Sequence, residues 1–204
     1  MLVEVTITLT IMLVFVLGSI EFLFLFYQWN AASKAVQVGA RLAAVSDPVA
    51  AGLNTLSGAV LNAAFPAGSP MPSFTVKCEG VTGVCSCRGA CPPGGFAYSS
   101  AAMNTIVFGR GSTSCADATA VYNMGMCDVF SRIAAANVVI TYSQTGLGYA
   151  GRPGGPVPTI TISLRDLPFR FLFLGGLIGL KDIDIPAQQS SITAEDLSSR
   201  APLF

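Results

Sequence analysis

Residues 2–48, LVEVTITLTIMLVFVLGSIEFLFLFYQWNAASKAVQVGARLAAVSDP, decide the fold of this chain. The stretch predicts one helix of about 44 residues, roughly 66 Å long, because no proline interrupts it before Asp47-Pro48. Its first part, from Leu2 to Tyr27, is apolar and exceeds the roughly 30 Å hydrocarbon core of a bilayer. We therefore expect half of the helix to cross a membrane and half to lie outside it.

Glu4 and Glu21 are the only charged residues before Lys34. A carboxylate in hydrocarbon costs about 2.5 to 3.5 kcal/mol, so each must find a partner or an interface. Glu21 is expected to reach the lipid headgroups, and Glu4 to face the α-amino group of a neighbouring subunit inside a helix bundle. Met1, Glu4 and Glu21 are thus the candidate subunit-assembly residues.

The orientation of the apolar helix presents a conflict. The first basic residues, Lys34 and Arg41, follow the apolar run and would mark that side as cytoplasmic, yet the cysteines on the same side indicate an oxidising compartment. The conflict disappears if a basic leader preceded Met1 and was removed after orienting the helix. A cleaved secretory signal is disfavoured because the run is too long and shows no clear small-x-small site.

Small residues recur at every fourth position after Tyr27, which permits close backbone approach on one helix face. We expect the sheet of the chain's own head to pack there, and the alternative is the helix of a neighbouring subunit. The positions of this helix-packing face are Ala31, Ala35, Gly39 and Ala43.

The six cysteines favour disulfides over a metal site, because their spacing lacks the paired C-x2-C knuckles typical of zinc. The Cys115–Cys127 pair is favoured since the loop between them has an easy length, whereas Cys85–Cys87 is sterically poor. The other pairings are left open. The candidate disulfide residues are Cys78, Cys85, Cys87, Cys91, Cys115 and Cys127.

We expect an α+β chain in which residues 1–46 form the long helix and residues 47–204 a small disulfide-stapled head with short helices and an antiparallel sheet. The Cys-rich segment 80–95 reads as a loop, and the apolar segment 166–180 as a core element or an exposed patch too short for a second span. Helical spacing covers 48–65, 98–108 and 118–134, whereas strand patterns cover 73–79, 137–143, 159–165 and two short stretches within 181–197. The strands at 137–143 and 159–165 are rich in β-branched residues and are expected to pair as neighbours.

The composition disfavours enzymatic and nucleic-acid functions. The chain has no histidine, which removes Ser-His and Cys-His pairs, and its formal net charge is zero. The acids available for paired-carboxylate chemistry fall at strand ends and turns, where solvated acids are ordinary. They are Asp166, Asp182, Asp184, Glu195 and Asp196. We expect no enzyme activity and no cofactor.

Three patterns resemble the N-terminal region of TadE-like minor pilins of tight-adherence pili: VE before an apolar run, IEF near its end, and GARLAAV with its small residues. VVITY, ITISL and PFRFLF resemble the family's C-terminal half more diffusely. The resemblance implies a pilin-like pseudopilin whose leader is cut by a prepilin peptidase, with Glu4 supporting subunit entry. The family usually places that glutamate one residue further from the cut.

The resemblance also implies location and partners. The protein would lie in the bacterial inner membrane with a periplasmic head, and in an extracellular pilus after assembly. Its partners would be the major pilin, a second minor pilin and the inner-membrane assembly platform. It would initiate assembly, cap the tip or sit in the filament, and thereby serve surface adhesion.

Two other readings remain. The head at a pilus tip could bind a surface or host molecule through the apolar segment 166–180 or the Cys-rich segment. Alternatively, the chain is a single-pass membrane-anchored envelope protein whose head binds a partner without entering a filament. Such an anchor should tolerate Glu4→Gln, whereas a filament subunit should not.

Overall fold

The computed structural model describes residues 2–115, 124–179, 181–186, 188–194 and 197–198. It confirms the α+β class: a long N-terminal apolar helix precedes a head with short helices, an antiparallel sheet and three disulfides. The helices are α1 Leu2–Ala44, α2 Leu56–Ala59, α3 Ser100–Phe108, α4 Met126–Val129 and α5 Leu174–Ile178. The strands are β1 Ala50–Ala51, β2 Phe74–Glu79, β3 Val84–Gly89, β4 Ala97–Tyr98, β5 Val138–Ser143, β6 Thr159–Leu164, β7 Pro168–Phe169, β8 Ile183–Asp184 and β9 Gln189–Thr193.

Helix α1 runs unbroken over 43 residues, as the sequence predicts. Hydroxyl groups inside its apolar run donate to carbonyls of the preceding turn. The Thr8 Oγ1 lies 2.8 Å from the Glu4 carbonyl oxygen, and the Ser19 Oγ lies 2.8 Å from that of Phe15. These polar side chains therefore need no partner outside the helix.

The end of α1 is held by the head. The Arg110 guanidinium donates to the carbonyl oxygen of Val45 and to the Ser46 hydroxyl, 3.4 Å away. The last carbonyls of a helix have no partner within the helix, so an arginine there is stabilising. The chain then turns at Asp47-Pro48, where the sequence predicts the helix to end.

The head's main sheet has five antiparallel strands in the order β3-β2-β5-β6-β9. Strands β5 and β6 pair as the sequence predicts, with Ile140 opposite Ile162. Alternate side chains of β2, β5 and β6 are buried, including Val76 and Ile160. The second half of α1 packs with α3 and α4 and contacts β6 and β9, so the core lies between this helical layer and the sheet.

The prediction of a helix over residues 48–65 is wrong. This segment forms β1, a 3-10 turn at Leu53–Thr55 and the single turn α2. Gly52 has a φ of 89°, a left-handed conformation that a right-handed helix cannot include. β1 instead pairs with β4, and the Val49 amide donates to the Tyr142 hydroxyl over 3.0 Å.

Two other predictions need correction. The Cys-rich segment is not only a loop, because β3 pairs along the whole of β2 with Cys85 opposite Cys78. Their disulfide fixes this register in a segment that lacks the β-branched pattern of a strand. Of the helix predicted over 118–134, the described part contains α4, which ends where Phe130 becomes extended. Residues 116–123 lie outside the described residues.

Candidate membrane and assembly surface

The first half of α1 exposes large apolar side chains. Phe15 is 74% exposed, and α1 is long and apolar enough to cross a membrane by length and composition. The exposed set is Val3, Val5, Ile7, Leu9, Ile11, Met12, Leu13, Phe15, Val16, Ile20, Phe22, Leu23, Phe24, Phe26, Tyr27 and Trp29. Such a surface is typical of a segment that lipid or other apolar helices cover.

One narrow stripe of this half is covered by the head. Gly18, Glu21 and Gln28 are buried and Leu25 is half-buried, at spacings of three and four that place them on one helix face. Residues 168–179 and 181–184, which we call the aromatic hairpin, lie against this stripe. A Cβ added at Gly18 would lie 3.6 Å from the Leu174 methyl carbons, so leucine packs directly on the glycine.

The Glu21 carboxylate binds the backbone of the aromatic hairpin. The Phe173 amide donates to Oε1 over 2.5 Å, and the Leu174 amide donates to Oε2 over 3.0 Å. Glu21 is only 3% exposed. Both carboxylate oxygens therefore have partners within the chain, and the expectation that Glu21 lies at the level of the lipid headgroups stays a prediction. Its role in subunit assembly stays a prediction.

Gln28 extends the same attachment towards the head. The Arg132 guanidinium donates to the Gln28 Oε1 over 2.7 Å and also to the carbonyl oxygen of Pro168. One arginine thus joins α1 to the base of the aromatic hairpin. Neither Gln28 nor Arg132 was singled out from the sequence, although a signal for Gln28 was available: it lies seven positions after Glu21, on the same face of an apolar helix.

Strands β7 and β8 pair as the two arms of the aromatic hairpin, with Phe169 opposite Ile183. The Phe169 ring centroid lies 6.2 Å from that of Phe24, and the Phe171 centroid lies 6.4 Å from that of Phe22. The two hairpin rings also meet each other edge-on at 5.2 Å. Aromatic contacts of this kind fix the hairpin along the helix.

The small-residue face lies in the head's core. Ala35, Gly39 and Ala43 are buried and Ala31 is half-buried, and the head's own helices and sheet pack on this half of α1. A Cβ at Gly39 would lie 2.5 Å from the sulfur of Met126. Glycine here allows α4 to approach the helix closely.

The remaining candidates are Met1, Glu4, the six cysteines and the acidic residues of the head. Glu4 is exposed in the first turn of α1, whereas Met1, Glu195 and Asp196 lie outside the described residues.

The structure pairs Cys115 with Cys127, the pair that the sequence favours, and joins Cys78 to Cys85 and Cys87 to Cys91. Asp182 lies 3.7 Å from Arg170, so it sits in an exposed ion pair. Within the described residues, no cluster of three His, Cys, Asp or Glu could hold a metal ion.

The family model described as TadE-like protein matches residues 1–41. No curated protein and no solved structure matches the chain. The match ends three residues before α1 does, so it covers the exposed apolar half, both glutamates and most of the small-residue face. The resemblance of the N-terminal region is thereby confirmed over residues 1–41, whereas the more diffuse resemblance of VVITY, ITISL and PFRFLF stays a prediction.

Proposed function

We propose that the protein is a structural minor pilin, or pseudopilin, of a Tad-type pilus. The observation that carries this proposal is that the TadE-like match coincides with α1, whose first half leaves its apolar side chains exposed beyond the head. A helix of this kind suits a bilayer first and the apolar centre of a filament afterwards.

The head lies in the periplasm before assembly and outside the cell in the pilus. Three disulfides support this location, because such bonds persist in oxidising compartments. A prepilin peptidase removes a leader, and the protein then meets the assembly platform, the major pilin and a second minor pilin. It acts structurally in assembly initiation, at the tip or in the filament, and so in surface adhesion, without enzyme activity.

Glu4 has the assembly role in this proposal. Its carboxylate meets the N-terminal ammonium group of a neighbouring subunit, where the low dielectric of packed apolar helices strengthens the attraction. Glutamine has nearly the same shape but no charge, so Glu4→Gln isolates the electrostatic part.

The test is the amount of this chain in sheared pili and in membranes of the native host. Wild type, Glu4→Gln and the charge-retaining control Glu4→Asp are compared in the same strain. We expect Glu4→Gln to reduce the pilus fraction by about tenfold, as the loss of roughly 1.4 kcal/mol would, and to leave the membrane fraction intact. Equal incorporation of all three variants would contradict the role of Glu4. A wild-type chain found only in membranes would favour the single-pass envelope protein.

A further inference from the structure

We propose that the tip of the aromatic hairpin, residues 171–179, inserts into the head-side leaflet of the membrane that α1 crosses. The tip is a second membrane anchor, held against the helix by Glu21. This inference rests on the membrane insertion of α1 in the proposed function, but not on entry into a pilus.

The depth of the tip follows from its contacts with α1. If the hydrocarbon core begins at Val3, its roughly 30 Å thickness ends about 20 residues later, near Phe22 and Leu23. Leu174 packs on Gly18, which lies about four residues, or roughly 6 Å, inside that boundary. Interfacial elements bury their apolar faces to about this depth.

The side chains of the hairpin change character at the same level. Residues 171–179, FLFLGGLIG, contain no charge, and Leu172 is 72% exposed with Phe173 beside it at 47%. The charged residues lie on the arms instead: Arg170, Lys181, Asp182 and Asp184 are all exposed. Arg170 lies between Phe169, whose ring contacts Phe24, and Phe171, whose ring contacts Phe22. The charged residues therefore lie at the hydrocarbon boundary estimated above, and the apolar tip lies on the membrane side of that boundary.

The Glu21 carboxylate supplies hydrogen-bond acceptors to backbone amides of the hairpin at this depth. Non-helical backbone in lipid leaves amide groups without water, and each unsatisfied group costs several kcal/mol. The amides of Phe173 and Leu174 both donate to the Glu21 carboxylate, which needs donors for the same reason. The mutual pairing explains why an apolar helix contains a nearly fully buried glutamate. Glu21 is a positioning residue that holds the tip against α1.

Lipid is the occupant that the surrounding surface favours. Leu172 and Phe173 stand exposed next to a helix that is itself exposed and apolar on its remaining sides, including Ile20 and Phe22. The apolar surface of the tip therefore continues the surface of α1 that the membrane covers.

Tryptophan fluorescence in vesicles tests the proposal, because the chain has one tryptophan, Trp29. Full-length chains carry Trp29→Phe and one new reporter: Leu172→Trp at the tip, Phe15→Trp in the span, or Val81→Trp on the head. Val81 is the matched control, since it is a similarly exposed apolar residue at 65%. Each chain is reconstituted in phosphatidylcholine vesicles whose acyl chains are brominated at shallow or deep positions, and bromine quenches only nearby tryptophan.

We expect shallow bromines to quench the tip reporter, deep bromines to quench the span reporter, and neither to quench the head reporter. A quenched span reporter with an unquenched tip reporter would overturn this inference and leave the membrane anchor intact. If neither is quenched, both proposals fail. Tip protection that depends on the protein-to-lipid ratio would show that a second copy covers the tip, which also overturns the inference.

Glu21→Ala, introduced separately into the Leu172→Trp chain and the Phe15→Trp chain, tests the positioning role. The substitution makes α1 more apolar, so the span reporter should stay quenched by deep bromines while the tip reporter loses its quenching. Glu21→Gln keeps one oxygen acceptor and should retain part of it. An unchanged tip depth in Glu21→Ala would show that Glu21 does not position the hairpin.

Discussion

The two halves of α1 have the same backbone conformation but opposite surroundings. The first half consists of large apolar residues that are mostly exposed, such as Phe15, whereas the second half consists of small residues that are mostly buried, such as Ala35. Apolar character alone therefore does not mark the part of a helix that lies in its own protein's core. Side-chain size does so here, because only small residues let a sheet and other helices approach the backbone.

The junction between the halves contains the polar residues that join them to the head. Glu21 binds the tip of the aromatic hairpin, and Gln28 accepts from Arg132 near its base. These contacts extend the head along α1 beyond the small-residue half. Substitutions in the buried half and at the junction test this division of the helix.

A large residue in the buried half should destabilise the head strongly. Ala35 has no exposed surface, so Ala35→Leu overpacks the core and should lower the free energy of unfolding by about 3 kcal/mol. The measurement is urea unfolding of the full chain in detergent micelles. Lys34→Leu adds the same side chain at an exposed neighbouring position and should change stability by less than about 0.5 kcal/mol. Equal effects at both positions would contradict the assignment of the buried face.

Removing the carboxylate at the junction should loosen the hairpin and leave the core intact. Glu21→Ala leaves two amides without an acceptor, at a cost of about 2 kcal/mol, and should accelerate hydrogen exchange at Phe173 and Leu174. The control is Ser19→Ala, which removes the hydrogen bond from the Ser19 hydroxyl to the Phe15 carbonyl on the exposed side of α1. Unchanged exchange at both amides would show that Glu21 does not hold the hairpin.

A single methyl group at the closest approach should have a smaller effect. Gly39→Ala forces the buried Met126 side chain to move and should destabilise by about 1 kcal/mol, although alanine favours a helix. Gly58→Ala meets no atom within 4 Å and should be neutral or stabilising. A double-mutant cycle with Met126→Ala should reveal coupling between positions 39 and 126. Additive effects would mean that the two residues do not touch.

The smallest expected effect concerns a carboxylate on the water-facing side of the head, in contrast to Glu21. The hydrogen bond from Lys77, together with the charges of Lys77 and Arg165, holds the pKa of Glu79 below its ordinary value. Since the folded pKa is depressed, this stabilisation is present above the unfolded pKa and is lost as the pH falls through the folded pKa. The stability difference between wild type and Glu79→Gln should therefore shrink in acid. A difference that is constant from neutral pH to pH 3 would contradict the ion pair.

The sequence predicted the parts of the fold that depend on local pattern. The length and end of α1, the pairing of β5 with β6 and the Cys115–Cys127 bond follow from periodicity, breakers and loop length. The sequence did not predict β3, because the Cys78–Cys85 disulfide, rather than β-branched side chains, fixes the register of β3 against β2. It predicted a helix around Gly52 because a left-handed glycine and a helical glycine look the same in a sequence.

The contact of Glu21 was the feature that local pattern could not give. Its partners lie about 150 positions away in a segment that reads only as apolar, so the sequence shows the need for a partner without identifying it. The spacing of Glu21 and Gln28 marks the face, whereas the aromatic hairpin that covers it is known only from the fold.

We propose that the protein is a processed minor pilin whose head lies outside the cytoplasm. Intact and peptide mass spectrometry of the native protein tests it most directly, since one experiment reads the N-terminus, any N-methylation and the disulfide state. We predict a processed N-terminus beside Glu4 together with three disulfides. A retained basic leader with free thiols would contradict the claim and indicate a membrane protein whose head faces the cytoplasm.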